Sequence, residues 1–543
     1  MNKTCLYIAV VGVAIILAAP ARGETPGSSP TPGPTAPPTP LPTPTATFTP
    51  VPEPDYSAAV SNLDTYLRDR LGKDNVKGFS LALVDGDRVV WVKGYGRVDP
   101  DREGPAAGDT RYRLGAASEL FTAVEAMRWV ERGSLDLDAP LTAALPGFSI
   151  QSRFPKAKPI TPRALLAQHS GLPGFFYQGM WADPGQSLAG LAADLRRDYL
   201  VAPPQTLYRY SYLDFDLLGR IVELKSGKPF AAALRSDLFH PLGMEDSFFG
   251  EDPGSDLPPA PPCRDGHPIP PLHYRDVPAV GMVSTANDLA KFLRFVLGGA
   301  ADPGPAPLDR TTRASMLLPQ YPGLPLDFGQ SLGLGWRLSG LTVFGAGEAA
   351  WRGGEYPGYT SQVAILPDQK LGVAFLSNSN EADKLAGQAV QRAFQLMLQA
   401  KYGKTPVLER PKPRMPPVAA VPTETLDRVA GDYSALGQLV RIARQDNHLT
   451  AAFAKYRVDL LPVDQQTFVP HLVFLLLFPV DLPQYPLTFS TAGDQAVATL
   501  GGLPFVLPLE KIEPVPIPDA WRAREGDYVQ ENPEPQLQFG SIR

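Results

Sequence analysis

The chain has 543 residues, of which 44% are hydrophobic and 20% are charged, so it contains enough apolar sequence to bury a core. Its formal net charge of −6 excludes the basic surplus that is typical of nucleic-acid-binding proteins. Of its two cysteines, Cys5 lies in a predicted signal peptide, so the mature chain would keep only Cys263 and form no internal disulfide.

The N-terminal region predicts export. Residues 1–23 have the pattern of a signal peptide: Lys3, an apolar stretch, and the cleavage-like segment Ala19-Pro20-Ala21. A retained membrane anchor is the alternative, although the apolar stretch is shorter than the roughly 20 residues that a membrane-spanning helix needs. Both interpretations place the protein in the periplasm, at the cell surface or outside the cell. Residues 24–54 are rich in proline and threonine, which predicts a disordered linker.

Regular secondary structure is predicted from Asp55 onward. Helices are expected at 56–71, 120–130, 213–225, 286–297 and 385–398 from the spacing of their apolar residues. Two strands, 79–84 and 88–94, are joined at Asp85-Gly86-Asp87, and an Asp-Gly pair favours a hairpin turn. Further strands are expected at 362–366 and 372–378. Terminal helices around antiparallel strands, with other helices inserted between them, predict an α+β domain over residues 55–406.

The C-terminal region has a different pattern. Residues 407–422 are a proline-rich linker, and residues 423–515 carry short strand-like segments at 439–444, 449–453, 458–461 and 497–500. This alternation of short strands and turns predicts a small β-barrel domain. Residues 516–543 are expected to form a polar tail.

Several short segments of the α+β region resemble a known family. They are Leu165-Leu166-Ala167-Gln168-His169-Ser170-Gly171-Leu172-Pro173, Pro241-Leu242-Gly243-Met244, Ser284-Thr285-Ala286-Asn287-Asp288-Leu289, Gly335-Trp336 and Pro357-Gly358-Tyr359. In this order they resemble the serine β-lactamase-related family, which includes class C β-lactamases, D-alanyl-D-alanine carboxypeptidases and D-aminopeptidases. The resemblance covers about residues 78–380. It implies a β-lactamase/penicillin-binding-protein-like transpeptidase fold, in which helices and a helical subdomain flank an antiparallel sheet.

The resemblance implies a nucleophilic serine at the start of a helix, with a lysine three residues later. On a helix this spacing places both side chains on one face, so the lysine can accept the serine proton. Here the matching positions are Ala116 and Glu119. A methyl group cannot attack a carbonyl, and a carboxylate cannot replace the lysine cation.

The other two motifs of the family are also altered. The tyrosine-x-asparagine motif is Tyr210-Ser211-Tyr212, which keeps the tyrosine and replaces the asparagine amide with a phenol. The Lys-Thr-Gly or His-x-Gly motif is Arg352-Gly353-Gly354, which keeps only its glycine, Gly354.

These substitutions predict a pseudoenzyme without a cofactor, whose role is binding or assembly at the cell surface. The expected partner is a cell-wall peptide or another surface protein. The alternative is an active serine hydrolase, of the β-lactamase, D-Ala-D-Ala carboxypeptidase or esterase type, whose nucleophile is displaced.

Neither of two other serines has the context of a nucleophile. Ser118 has Phe121 where a lysine would be needed, which favours a packing role. Ser331 lies in Gly329-Gln330-Ser331-Leu332-Gly333, but a nucleophile elbow needs a strand before it and a helix after it, and here a loop is expected.

Metal-binding residue types occur close together, but not at metal-binding spacing. Cys263, Asp265, His267 and His273 match no standard zinc site, so no metal is expected there and a surface loop is predicted. His169 is expected to serve the fold.

Two expectations concern the geometry of the altered site. The ring of Tyr212 should occupy volume that a substrate would use, with a stacking surface for a sugar or peptide as the alternative. Glu119 should face Arg352, with Tyr210 as a hydrogen-bond donor, because a lone buried carboxylate is costly. The alternative is that Arg352 points to solvent and Glu119 bonds to local backbone.

Overall fold

A computed structural model describes most of the chain between residues 54 and 522. The residues within this range that it does not describe are 75, 98–104, 182–184, 251–257, 299–305, 328, 344, 404–414, 436–437, 454–455, 475–477, 484, 493–494, 502–506 and 514–518. The predicted signal peptide, nearly all of the first linker and most of the tail lie outside the described residues, as does the first part of the second linker.

The α-helices are numbered in chain order. They are α1 (Ser57–Lys73), α2 (Glu119–Glu131), α3 (Leu141–Ala144), α4 (Pro162–Leu166), α5 (Leu188–Asp194), α6 (Tyr212–Ser226), α7 (Phe230–Leu234), α8 (Val277–Val280), α9 (Ala286–Val296), α10 (Arg310–Ser315), α11 (Asp383–Tyr402), α12 (Thr423–Val429) and α13 (Asp519–Arg522). A π-helical turn, Arg235–Phe239, continues α7. Short 3₁₀ turns cover Gly115–Ser118, Leu195–Arg197, His240–Leu242, Pro325–Asp327 and Asn380–Ala382.

The strands are also numbered in chain order. Those before residue 400 are β1 (Gly78–Asp85), β2 (Arg88–Gly96), β3 (Tyr112–Arg113), β4 (Phe248–Phe249), β5 (Cys263–Arg264), β6 (His267–Pro268), β7 (Met282–Ser284), β8 (Thr342–Val343), β9 (Gly347–Glu348), β10 (Ala350–Tyr356), β11 (Tyr359–Leu366) and β12 (Leu371–Ser377). Those after it are β13 (Gly431–Ala435), β14 (Gln438–Gln445), β15 (His448–Phe453), β16 (Tyr456–Pro462), β17 (Thr467–Phe474), β18 (Phe478–Asp481), β19 (Leu487–Ala492), β20 (Gln495–Leu500) and β21 (Leu507–Ile512).

An antiparallel sheet in the order β10-β11-β12-β1-β2 organises the first domain. Successive side chains of a strand point to opposite faces, and both faces are covered here. Leu81 and Leu83 pack in the core that α1 and α11 help to form. Ala82 and Val84 pack in the larger core with α2, α6 and α9. Burial on both faces explains why β1 is a continuous apolar run rather than an alternating one.

Local signals in the sequence set several ends of these elements. The hairpin between β1 and β2 turns at Gly86, which has a φ of 60°. Helix α9 starts after Thr285, whose hydroxyl accepts a hydrogen bond from the Asp288 amide at 3.1 Å. Helix α6 ends at Gly227, which takes the left-handed conformation.

The C-terminal strands form a closed barrel. Eight of them follow one another in the order β16-β15-β14-β13-β21-β20-β19-β17, and pairing of β16 with β17 closes the ring. Strand β18 pairs with β17 outside the ring. The barrel core includes Tyr433, Ile442, Phe468 and Phe489.

The predicted α+β class and the β-barrel are therefore confirmed. Described residues up to Lys511 belong to one compact unit, while α13 belongs to another. The domain boundaries at 406 and 423 stay predictions. Between residues 54 and 522, no described helix combines the length and hydrophobicity that crossing a bilayer requires.

Candidate active site

The altered first motif lies where the 3₁₀ turn Gly115–Ser118 leads into α2. Ala116 is half-buried, and Glu119, the first residue of α2, has no exposed surface. Strand β10 crosses close to this turn because Gly354 has no side chain. A Cβ at Gly354 would lie 1.9 Å from the Leu114 carbonyl oxygen and 2.6 Å from the Ala117 nitrogen. The retained glycine therefore allows the first and third motifs to meet.

Glu119 and Arg352 face each other across this contact. A guanidinium nitrogen of Arg352 contacts Glu119 Oε2 directly in an ion pair, and both side chains are buried. The Tyr210 hydroxyl donates a hydrogen bond to Glu119 Oε1 at 3.0 Å. The Gln168 amide donates to Oε2 at 3.4 Å. The predicted pairing and the predicted role of Tyr210 as donor are confirmed, and the alternative of a solvent-facing Arg352 is wrong.

Aromatic rings enclose the cation of this pair. The Arg352 guanidinium lies 5.7 Å from the centroid of the Tyr210 ring and 5.8 Å from that of Phe215. Burial lowers the pKa of Arg352 to about 9, so the guanidinium still carries its charge at neutral pH. Burial also raises the pKa of Tyr210, which keeps its phenol protonated and able to donate. We name Glu119, Arg352 and Tyr210 the ion-pair cluster.

Gln168 donates a hydrogen bond to the ion-pair cluster, and its backbone is strained. Its φ is 56°, a value that residues other than glycine adopt infrequently. Besides Glu119, its amide contacts the Ser211 carbonyl oxygen at 3.4 Å. In the sequence, Gln168 stood out only as part of a segment that resembles the family, and this contact was not predicted. No sequence signal could have found it, because Gln168 and Glu119 are brought together by the tertiary fold.

Tyr212 begins α6 beside the ion-pair cluster. Its amide donates to the Gly174 carbonyl oxygen at 2.9 Å. Its ring meets the Tyr210 ring edge to face at 5.6 Å and the Phe175 ring at 4.7 Å. The side chain is half-buried. That this ring occupies volume that a substrate would use stays a prediction.

Ser118 has a structural role. Its hydroxyl is fully buried, donates to the Gly115 carbonyl oxygen at 2.6 Å and accepts from the Met282 amide at 3.1 Å. These bonds join the 3₁₀ turn to β7. The packing role predicted for Ser118 is confirmed.

Ser331 lies in a loop, as expected. Its amide donates to the Ser339 hydroxyl at 2.9 Å, and its neighbour Leu332 forms isolated bridges to Gln320 and Arg337. Among the described residues on either side of Ser331, the strand–turn–helix that a nucleophile elbow requires is not formed.

His169 is part of a buried hydrogen-bonded support. Its Nδ1 lies 2.7 Å from the Ala167 carbonyl oxygen and its Nε2 lies 2.9 Å from Asp327 Oδ2. The other Asp327 oxygen accepts a hydrogen bond from the Tyr208 amide at 2.6 Å. Tyr208 precedes Tyr210 by two residues, so this bond supports the segment that carries Tyr210. His169 therefore serves the fold, as predicted, and Asp327 is a partner that the sequence did not reveal.

The segment around Cys263 forms a small hairpin of β5 and β6. Cys263 is buried, and the Asn378 amide lies 3.6 Å from its sulfur. His267 and His273 are exposed. In the part of the chain that the structure describes, no group of three or more histidine, cysteine or acidic side chains is arranged to hold a metal.

A buried acidic pair lies next to the site and was missed by the sequence analysis. Asp216, in the second turn of α6, lies beside Asp276, and both are at most 1% exposed. The Arg275 guanidinium donates to Asp276 Oδ1 at 2.6 Å. Burial, followed by the charge of Asp276, raises the pKa of Asp216, and burial raises the pKa of Asp276 despite Arg275. Because one guanidinium cannot balance two carboxylates, we expect the pair to share a proton at a pH where a free aspartate has lost it.

We expect Asp216→Asn to reduce the loss of stability that occurs as pH rises above about 4. An unfolded aspartate has a pKa of about 3.9. Since the folded pKa of Asp216 is higher, the folded chain keeps a proton that the unfolded chain has lost. The free energy of unfolding therefore falls as pH rises from about 4 through the folded pKa, by up to about 1.4 kcal/mol per pH unit. Asparagine removes this titration.

Denaturant unfolding of the wild type and Asp216→Asn between pH 4 and 8 measures the effect. Asp87→Asn, at the exposed hairpin turn, is the matched control and should keep the wild-type slope. Parallel curves for the wild type and Asp216→Asn would show that the pair holds no such proton.

Comparison with known proteins places this site in a family. The Beta-lactamase family model matches residues 63–397. Beta-lactamase-like protein 4 of Dictyostelium discoideum is 27% identical over 344 residues, which are 59% of this chain and 59% of that protein. Protein flp of Staphylococcus aureus (strain MRSA252) is 23% identical over 327 residues, which are 59% of this chain and 62% of that protein.

Comparison with solved structures confirms the predicted β-lactamase/penicillin-binding-protein-like transpeptidase fold. The octameric penicillin-binding protein homologue from Pyrococcus abyssi matches 83% of this chain and all of its own, at 22% identity and a TM-score of 0.55. The chain spans about three fifths of the length of the two relatives named above. Because the family model covers more than half of the 543 residues, the chain belongs to the beta-lactamase family.

Proposed function

We propose that this protein is an exported, non-catalytic member of its family that binds a cell-wall component or a surface partner. The observation that carries the proposal is the Glu119–Arg352 ion pair at the positions where the family resemblance places the general base and the third motif. The proposal rests on the resemblance of three motifs to those of the family and on the contacts of their side chains.

The nucleophile position supports this proposal chemically. Ala116 has no group that can form a covalent bond to a carbonyl carbon. Ser118, two residues later, uses its hydroxyl to join the 3₁₀ turn to β7. Neither position therefore offers an activated oxygen to an ester, amide or β-lactam.

The ion-pair cluster also cannot perform the proton transfer of an acyl-transfer reaction. A general base must be free to accept a proton from the nucleophile. Glu119 instead contacts Arg352 and accepts from Tyr210 and Gln168. Its negative charge is thus compensated inside the protein, and protonation would leave the Arg352 cation buried without its counter-charge.

Covalent labelling tests the proposal. We expect the full chain to gain no mass after incubation with a fluorophosphonate or with a penicillin, measured by intact-protein mass spectrometry. A catalytically active serine β-lactamase treated in parallel shows that both reagents are reactive. Stoichiometric labelling of this chain would contradict the proposal and favour a displaced serine nucleophile. Ser118→Ala and Ser331→Ala would then identify which hydroxyl reacted.

A further inference from the structure

Five aromatic side chains form a connected, half-exposed surface beside the ion-pair cluster. We name Phe175, Tyr177, Trp181, Tyr212 and Tyr274 the aromatic cluster. Phe175 meets Tyr212 at 4.7 Å and Tyr177 at 5.8 Å between ring centroids. Trp181 stacks on Tyr177 at 6.0 Å and lies 6.2 Å from Tyr274. The Tyr177 side chain is 46% exposed, a large fraction for an aromatic residue.

A buried arginine holds the loop that carries three of these rings. Arg275 donates to the carbonyl oxygens of Phe176 and Gln178, both at 2.8 Å. Its own amide donates to the Met180 carbonyl oxygen at 2.9 Å. The guanidinium is fully buried against Asp276. A charged side chain thus fixes an otherwise irregular loop, which lowers the entropy cost of presenting its rings to a ligand.

The aromatic cluster is polar at its edges. Tyr177, Tyr212 and Tyr274 carry hydroxyl groups at the edges of their apolar rings, while the indole N–H of Trp181 is buried. Such side chains can pack a flat apolar face against a ligand and form hydrogen bonds with the polar groups at the ligand's edge. A pyranose ring has the matching chemistry, since its C–H groups form an apolar face and its hydroxyls form the rim.

The charges nearby favour an uncharged ligand over a peptide with a free carboxylate. The Arg352 cation is buried and paired with Glu119, so it cannot receive a carboxylate from solution without breaking that pair. The family resemblance implies an asparagine that binds a substrate amide, and this chain has Tyr212 at that position. Both changes remove polar partners of a peptide, and the second adds a ring face.

We propose that the aromatic cluster binds the pyranose rings of an uncharged glycan chain. The inference rests on the proposed function, because a non-catalytic site is required for the ligand to be held rather than cleaved. It deepens that function by assigning the ligand class to sugar rings. Phe175, Tyr177 and Tyr212 would provide the contact nearest the ion-pair cluster.

Titration of the full chain with chitotetraose and with cellotetraose tests the inference. We expect saturable binding by isothermal titration calorimetry, with a change in tryptophan fluorescence as Trp181 is covered. Binding of both sugars would assign recognition to the pyranose ring, and binding of chitotetraose alone would assign it to an N-acetylated ring. Tyr177→Ala should weaken binding by about tenfold, the loss expected for one aromatic contact.

Tyr199→Ala is the matched control, since Tyr199 is another exposed tyrosine, at 39%, outside the aromatic cluster. It should leave the affinity unchanged. If neither tetrasaccharide shows saturable binding, or if Tyr177→Ala binds as tightly as the wild type, the inference is overturned. Binding of a D-alanyl-D-alanine peptide without binding of a glycan would overturn it as well, while the proposed function would stand. Covalent labelling by the fluorophosphonate or the penicillin would instead contradict the proposed function.

Discussion

Glu119→Lys should lower the free energy of unfolding by about 3–5 kcal/mol, the cost typical of leaving a buried charge without its counter-charge. The substitution restores the residue type that the family resemblance places at this position. In this protein, however, it puts an ammonium group against the buried Arg352 guanidinium. The acceptor of the Tyr210 hydrogen bond is lost at the same time. Denaturant unfolding at pH 7 measures the change.

Arg352→His in the same chain should recover part of that loss, because histidine can be neutral at pH 7 and removes the repulsion. Glu424→Lys, an exposed glutamate of α12, is the charge-matched control and should change stability by no more than about 0.5 kcal/mol. If Glu119→Lys is as stable as this control, the buried pair contributes nothing to the fold.

Gly354→Ala should destabilise the first domain by about 3 kcal/mol or more, at the upper end of the range for overpacking. The added Cβ would meet backbone atoms, the Leu114 oxygen at 1.9 Å and the Ala117 nitrogen at 2.6 Å, and backbone cannot move aside as a side-chain end can. Strand β10 would have to shift away from the 3₁₀ turn, which would also separate Arg352 from Glu119.

Gly353→Ala provides the control for this prediction. A Cβ at Gly353 would lie 3.2 Å from the Trp351 ring, a contact that a small rotation of that side chain relieves, and 3.8 Å from the Ser361 carbonyl oxygen, an ordinary van der Waals distance. Thermal unfolding should show a large decrease in Tm for Gly354→Ala and a small one for Gly353→Ala. Equal decreases would mean that the close contact between β10 and the turn is not what requires glycine.

The sequence predicted those parts of the fold that local patterns determine. The β1–β2 hairpin follows from an Asp-Gly turn between two apolar runs, and α9 follows from the spacing of its apolar residues. The two-residue strands β3 and β4 were missed, because pairing with β7 defines them and two residues carry no periodicity. Closure of the barrel likewise depends on pairing between β16 and β17.

The same distinction applies to the candidate site. The Glu119–Arg352 contact could be predicted because electrostatics requires a partner for a buried carboxylate and the motifs limit the candidates. Gln168, Asp327 and the Asp216–Asp276 pair could not be predicted in this way. Their partners are far away in sequence, and an isolated aspartate or glutamine has many other interpretations, most of them on the surface.

The most direct test of this account is a double-mutant cycle on the ion pair, with Glu119→Gln, Arg352→Met and the variant that carries both. In our interpretation, the positions that the family resemblance assigns to the general base and to the third motif form a structural contact instead. We therefore predict that each single substitution lowers the free energy of unfolding. The double variant should lose about 1–3 kcal/mol less than the sum of the two single losses. Losses that add within about 0.3–0.5 kcal/mol would contradict the claim, since they would show that Glu119 and Arg352 do not stabilise one another.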